Sequence, residues 1–164
     1  MGDQLTPRRL RGVLALVLLF SLTSCRSEPD LKPFTSDGCS LFPDRSIISA
    51  EDWCSCCFEH DIAYWRGGTK AEREAADAAL RDCVTAKTGD RAFGRLMYDG
   101  VRVGGSPYFL TWYRWGYGWP FARKYQALTD AETAQSERLL ADYRASNPEP
   151  VCPANVKTSG IELN

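Results

Sequence analysis

His60, the lone histidine of this 164-residue chain, stands beside Asp61 in CCFEHDIAYW, and Asp77 follows in ADAALRDCV. An imidazole set against a carboxylate handles protons: the ring accepts one, and the acid fixes the tautomer and steadies the resulting cation. Cys56, His60 and Tyr64 recur every four residues, so on a helix they share one face. Asp61 is turned about 100° from His60 and serves a different neighbour. An isolated histidine is ordinarily a core or surface residue. The facing acid, the adjoining second carboxylate and the dense cysteines make this one a site.

Two helices are needed to bring His60 and Asp77 together. The first is expected from an N-cap at Ser49, with Asp52 three residues on, to about Trp65. Gly67 and Gly68 end it, because glycine accepts the left-handed backbone of a helix stop. Thr69 and Glu72 form a capping box for the second helix, which Gly89 closes. Its alanines (Ala71, Ala75, Ala76, Ala78, Ala79) allow close approach of a partner. Folding about the paired glycines sets Cys56 opposite Cys83, His60 opposite Asp77 and Ala63 opposite Ala76. The helix register thus supports a Cys56–Cys83 disulfide on the same seam as the imidazole and the acid.

These segments resemble the secreted phospholipase A2 superfamily. CCFEHDIAYW is similar to its His-Asp helix signature, DGCS to its calcium loop, and ADAALRDCV to its second long helix. The likeness covers residues 37–84. It implies that His60 draws a proton from water, that Asp77 orients the imidazole and that Tyr64 hydrogen-bonds Asp77. It also implies Ca²⁺ on Asp61 and on backbone carbonyls near Gly38 and Ser40, a set of hard oxygen donors. The implied substrate is a phospholipid, cleaved at its sn-2 acyl ester. One departure stands out: the loop reads DGCSLFPDRS, poor in the family's glycines, and Pro43 lacks an N–H.

The resemblance further implies a Cys39–Cys57 bridge. With Cys56–Cys83 this leaves Cys54–Cys152, which would pin the C-terminal tail. Zinc on Cys54, Cys57 and His60 is the alternative use of these ligands.

At the start of the chain, Arg8, Arg9 and Arg11 precede an apolar run from Val13 to Leu22, too short for a membrane span. Leu22-Thr23-Ser24-Cys25 fits a lipobox with Cys25 as the lipid-modified residue; an ordinary signal peptide with an incidental cysteine is the alternative. The expected organisation is a signal peptide at 1–24, a tether at 25–36 and one helical domain at 37–164. The location expected is the cell envelope, lipid-anchored, at an outer rather than an inner membrane. The chain carries 20 basic and 21 acidic side chains without a basic block, so no nucleic-acid or nucleotide partner is expected.

A third helix is expected after Asp90, with Phe93, Leu96, Met97, Gly100, Val101 and Gly104 as its apolar stripe. Gly104-Gly105-Ser106-Pro107 breaks it. Residues 108–125, YFLTWYRWGYGWPFARKY, read mainly as core aromatics, with some rings exposed at the site's mouth, where they would meet a phospholipid or membrane surface. Thr129 and Glu132 open a last helix that ends near Ser146. The expected fold is all-α: a disulfide-stapled, phospholipase A2-like domain with two long antiparallel helices and additional C-terminal helices. The second functional possibility is a non-catalytic envelope lipoprotein that binds lipid, cell wall or protein.

Overall fold

Four α-helices and no strand make up the residues described in a computed structural model, 30–46 and 52–147. They are α1 (Cys54–Arg66), α2 (Lys70–Thr88), α3 (Arg91–Gly104) and α4 (Asp130–Ser146), with a short 3₁₀ turn at Phe121–Arg123. None of these helices is long and apolar enough to cross a membrane. The caps that open α2, α3 and α4 are those the sequence announces. Thr69 with Glu72 and Thr129 with Glu132 form complete capping boxes. The Asp90 side chain accepts from the Ala92 and Phe93 N–H groups.

The start of α1 differs from expectation. Ser49 lies outside the described residues, and the helix begins at Cys54, with Trp53 at its cap. Asp52 precedes the helix and accepts the Cys54 N–H at 2.9 Å. The cause is a tie to the loop upstream. Trp53 donates its indole N–H to the Pro43 carbonyl at 2.7 Å and its backbone N–H to Asp44. Arg45 and Asp52 form an isolated antiparallel bridge, which holds Asp52 against the upstream loop and outside the helix.

At the other end, α1 stops where its last carbonyls need partners. Gly67 takes φ 67° and Gly68 φ 136°, and the aromatic segment supplies donors. Trp115 donates its indole N–H to Gly68 and Trp119 to Arg66. The Gly116 and Gly118 N–H groups bond the Tyr64 and Trp65 carbonyls. Gly67 must lack a side chain here, since a Cβ would lie 2.8 Å from the Gly116 Cα. Arg114 braces the segment by donating to the carbonyls of Trp115, Gly116 and Trp119.

The core has two parts. One gathers Cys39, Trp53, Cys56, Cys57, Leu80, Val84 and Met97; the other gathers Leu31, Phe34, Ile62, Trp65, Trp119 and Leu140. Residues 31–36 are thus part of the domain, not the end of a tether as Pro33 suggests. Leu31 and Phe34 are buried, Lys32 exchanges bonds with Gly118 and Trp65, and Phe34 packs edge-on against Trp65 and Tyr143. The expected α3 stripe is also corrected at Leu96, which is exposed. The face turned to α2 is that of Gly94 and Met97, and a Cβ at Gly94 would come within 2.8 Å of the Arg81 carbonyl. That approach leaves Leu96 turned away.

Cys39–Cys57 and Cys56–Cys83 are disulfides, the first tying the loop to α1 and the second tying α1 to α2. Residues 1–29, with Cys25 and the lipobox, and residue 152 of the expected Cys54–Cys152 pair lie outside the described residues. Trp119→Phe keeps an aromatic ring, though a smaller one, and leaves the Arg66 carbonyl without its indole donor. It should lower unfolding free energy by about 1–3 kcal/mol in a denaturant titration; an unchanged midpoint would contradict the capping role.

Candidate functional site

Cys56 at the base of α1 is stapled to Cys83 of α2, and one turn further along His60 meets Asp77. The His60 Nε2 lies 2.9 Å from the Asp77 Oδ1. Tyr64, one turn beyond, donates its hydroxyl to the same oxygen at 2.8 Å, and its ring lies 4.1 Å from the imidazole between centroids. The three side chains expected to cooperate therefore do meet, and the ring nitrogen not engaged by Asp77 is Nδ1.

Sequence reasoning missed two further partners. Arg102 of α3 donates to the Asp77 Oδ2 at 2.7 Å. Arg73 of α2 donates from Nε to the Tyr64 hydroxyl at 3.1 Å and lies 3.7 Å from the same carboxylate oxygen. Arg73 stands four residues before Asp77, so helical spacing could have flagged it. Arg102 has no local signal, because only the docking of α3 brings it in. Asp77 is fully buried. Burial alone would raise its carboxyl, but hydrogen bonds from His60, Arg102 and Tyr64 outweigh that and hold it below the ordinary carboxylate range. Burial, followed by the neighbouring Asp77 charge, pushes the Tyr64 phenol up, so it stays a protonated donor.

Asp61 faces elsewhere, as its helical angle requires. It is buried beneath the N-terminal segment and accepts the Ser36 hydroxyl at 2.6 Å. Burial raises its carboxyl to about 7. The Ser36 bond opposes that shift, whereas the nearby Asp37 and Asp44 charges add to it. A buried acid among like charges favours a cation, and the oxygens around it are of the hard type. Asp61, Gly38 and Ser40 line the same cavity as His60, a space of about 360 Å³. Among the described residues no three His, Cys, Asp or Glu side chains group as a metal cluster. Any cation here would therefore rest on Asp61 with hydroxyl and carbonyl oxygens. Zinc on Cys54, Cys57 and His60 does not fit, because Cys57 is bonded to Cys39.

The loop achieves its turn with few glycines. Gly38 takes φ 77° and Leu41 takes φ 65°, a left-handed backbone that costs a non-glycine residue about 1–2 kcal/mol. Asp44 closes the turn by accepting the Cys39 N–H at 2.7 Å. Ser40 donates its N–H to the Gly38 carbonyl and its hydroxyl to Asp37. The remaining walls of the cavity are largely apolar, with Phe42, Leu80, Met97 and Val101 inside and the exposed Leu41 and Val103 at its edge.

Comparison with protein-family models, with curated proteins and with solved structures gave no match to this chain.

The Asp61 carboxyl moves from an ordinary 3.8 to about 7 on folding. The folded chain then binds this proton more tightly than the unfolded chain. The associated stability is complete below about 4 and is lost as pH rises to 7. In chelator, melting temperature should carry a falling component across that window which Asp61→Asn removes. An identical pH profile for the variant would show that burial does not perturb Asp61.

Proposed function

We propose that this chain is a divergent phospholipase A2-like lipoprotein that hydrolyses the sn-2 acyl ester of phospholipids with calcium. The observation that carries this reading is the convergence on one apolar cavity of a base–acid pair and a separate buried carboxylate. His60 is fixed by Asp77 through Nε2, Asp61 lines the same cavity, and the space beyond suits an acyl chain.

Nδ1 of His60 would take a proton from water as that water attacks the ester carbonyl. Asp77 would hold the ring in the tautomer that leaves Nδ1 free to accept, and would stabilise the imidazolium as it forms. Hydrogen bonds from Tyr64 and Arg102 hold the carboxylate in place and ionised while this happens. The apolar walls would exclude bulk water from the acyl chain. Ca²⁺ held by Asp61 with oxygens of Gly38 and Ser40 would supply positive charge to polarise the carbonyl. An envelope-anchored protein would meet its substrate as a membrane surface, and the exposed Tyr108, Phe109, Leu110 and Trp112 suit that encounter.

A second reading is favoured by one observation. The N–H groups of Cys39 and Ser40 are both engaged within the loop, by Asp44 and Gly38, so neither is free to donate to an oxyanion. On that reading the chain is a non-catalytic envelope lipoprotein that uses the cavity to bind lipid, cell-wall material or a protein.

Liposome hydrolysis by the oxidised protein separates the two. The hydrolase reading expects release of the sn-2 fatty acid, abolition by chelator, and loss of about 10³-fold or more in His60→Gln. It also expects calcium to be bound more tightly as pH rises through about 7 and Asp61 ionises. Arg102→Gln should lower kcat roughly tenfold or more with little change in KM, Arg102→Lys retaining part of the rate. Activity surviving in His60→Gln would exclude the base. Lipid binding without turnover on any phospholipid would establish the binder.

A further inference from the structure

A second cavity, of about 230 Å³, adjoins the first and shares Ser40, Asp61 and Tyr113 with it. Its character is opposite. Three aromatic side chains, Trp112, Tyr113 and Tyr117, line it together with Asp37 and Asp61, and among the described residues no lysine or arginine does. The Trp112 and Tyr113 rings stand at 87° with centroids 5.1 Å apart, forming two walls at a right angle. Tyr117 is anchored by its hydroxyl to the Thr35 and Asp61 carbonyls, which leaves its ring, not its polar tip, for a ligand. Trp112 is 68% exposed, although hydrophobic burial would favour covering so large a ring.

Aromatic faces backed by carboxylates attract cations, and best those that shed water cheaply. A small metal ion would need oxygens at about 2.0–2.6 Å on most sides and would gain little from ring faces. A phosphate or carboxylate group would find no described lysine or arginine in this lining to pair with, and would meet the Asp37 side chain. A bulky alkylated ammonium satisfies both the rings and the charge. We propose that this cavity receives the quaternary ammonium of a choline phospholipid whose acyl chain occupies the neighbouring apolar cavity. The head-group assignment stands on the second cavity alone; the placement of the acyl chain rests on the hydrolase reading.

The test uses the oxidised protein, with the small probes titrated in chelator and the vesicles assayed with calcium present. Tetramethylammonium, phosphocholine and inorganic phosphate are titrated separately against sodium chloride of equal ionic strength. The readout is the indole N–H signal of Trp112, identified by its loss in Trp112→Phe, together with binding heat. Tetramethylammonium and phosphocholine should saturate and phosphate should not. Trp112→Ala and Asp37→Asn, both at exposed positions, should weaken binding about five- to tenfold, Trp112→Phe less. On vesicles of matched acyl chains, phosphatidylcholine should be preferred over phosphatidylglycerol, and Trp112→Ala should erase that preference. Non-saturating shifts, equal affinity in both variants, or binding of phosphocholine and phosphate without tetramethylammonium would overturn the assignment. Saturable binding without hydrolysis would support the head-group site and remove the hydrolase. Hydrolysis with neither probe binding nor choline preference would do the reverse.

Discussion

A carboxylate with no exposed surface must be fully compensated, because an unpaired charge in the interior costs several kcal/mol. Asp77 is such a group, and its compensation comes from three helices: His60 and Tyr64 from α1, Arg73 from its own α2, and Arg102 from α3. The site is therefore a condition of the fold. Removing one partner leaves a buried charge short of a donor, and shifting α3 withdraws a guanidinium. Arg73 extends the web by bonding the Val101 and Arg102 carbonyls at 2.8 Å, which ties the two helices at the point where the acid needs them.

The rest of the chain holds α1 at a fixed depth and angle. Its N-terminal end is pinned through Trp53 to the loop at Pro43 and Asp44 and through Cys57 to Cys39. Its C-terminal carbonyls are covered by the segment around Trp115 and Trp119. His60 and Asp61 lie between these anchors and look into different surroundings. One faces a fully hydrogen-bonded acid, and the other faces hydroxyls and further carboxylates. Adjacent residues thereby acquire distinct chemistry, as a helical step of about 100° dictates. Two cavities, one apolar and one aromatic and acidic, meet at Asp61.

Much of this was legible in the residues. The paired glycines, the capping boxes at Thr69 and Thr129 and the cap at Asp90 are local signals whose physics acts within a few residues. The pairing of Cys56 with Cys83 and of His60 with Asp77 followed from antiparallel register about Gly67 and Gly68. What was not legible depends on distant packing. The start of α1 at Cys54 is set by a bridge to residues upstream, which a capping pattern at Ser49 does not reveal. Residues 31–36 read as the end of a tether because Pro29 and Pro33 mark that stretch, yet Leu31 and Phe34 complete a core assembled from α1, the Trp119 segment and α4. Arg102 reaches Asp77 only because Gly94 lets α3 settle on α2. The aromatic run could be divided between core and surface only once its capping of α1 was known.

The central physical claim is that Asp77 locks the single imidazole with its proton on Nε2, which leaves Nδ1 to accept. The chain has one histidine, so a two-bond proton–nitrogen correlation of ¹⁵N-labelled protein carrying no histidine tag reports on that ring alone. The account predicts that, at a pH where the ring is neutral, its proton sits on Nε2 with Nδ1 bare, and that this single tautomer is lost in Asp77→Ala. A ring protonated at Nδ1, or a freely exchanging mixture in the wild-type protein, would contradict it.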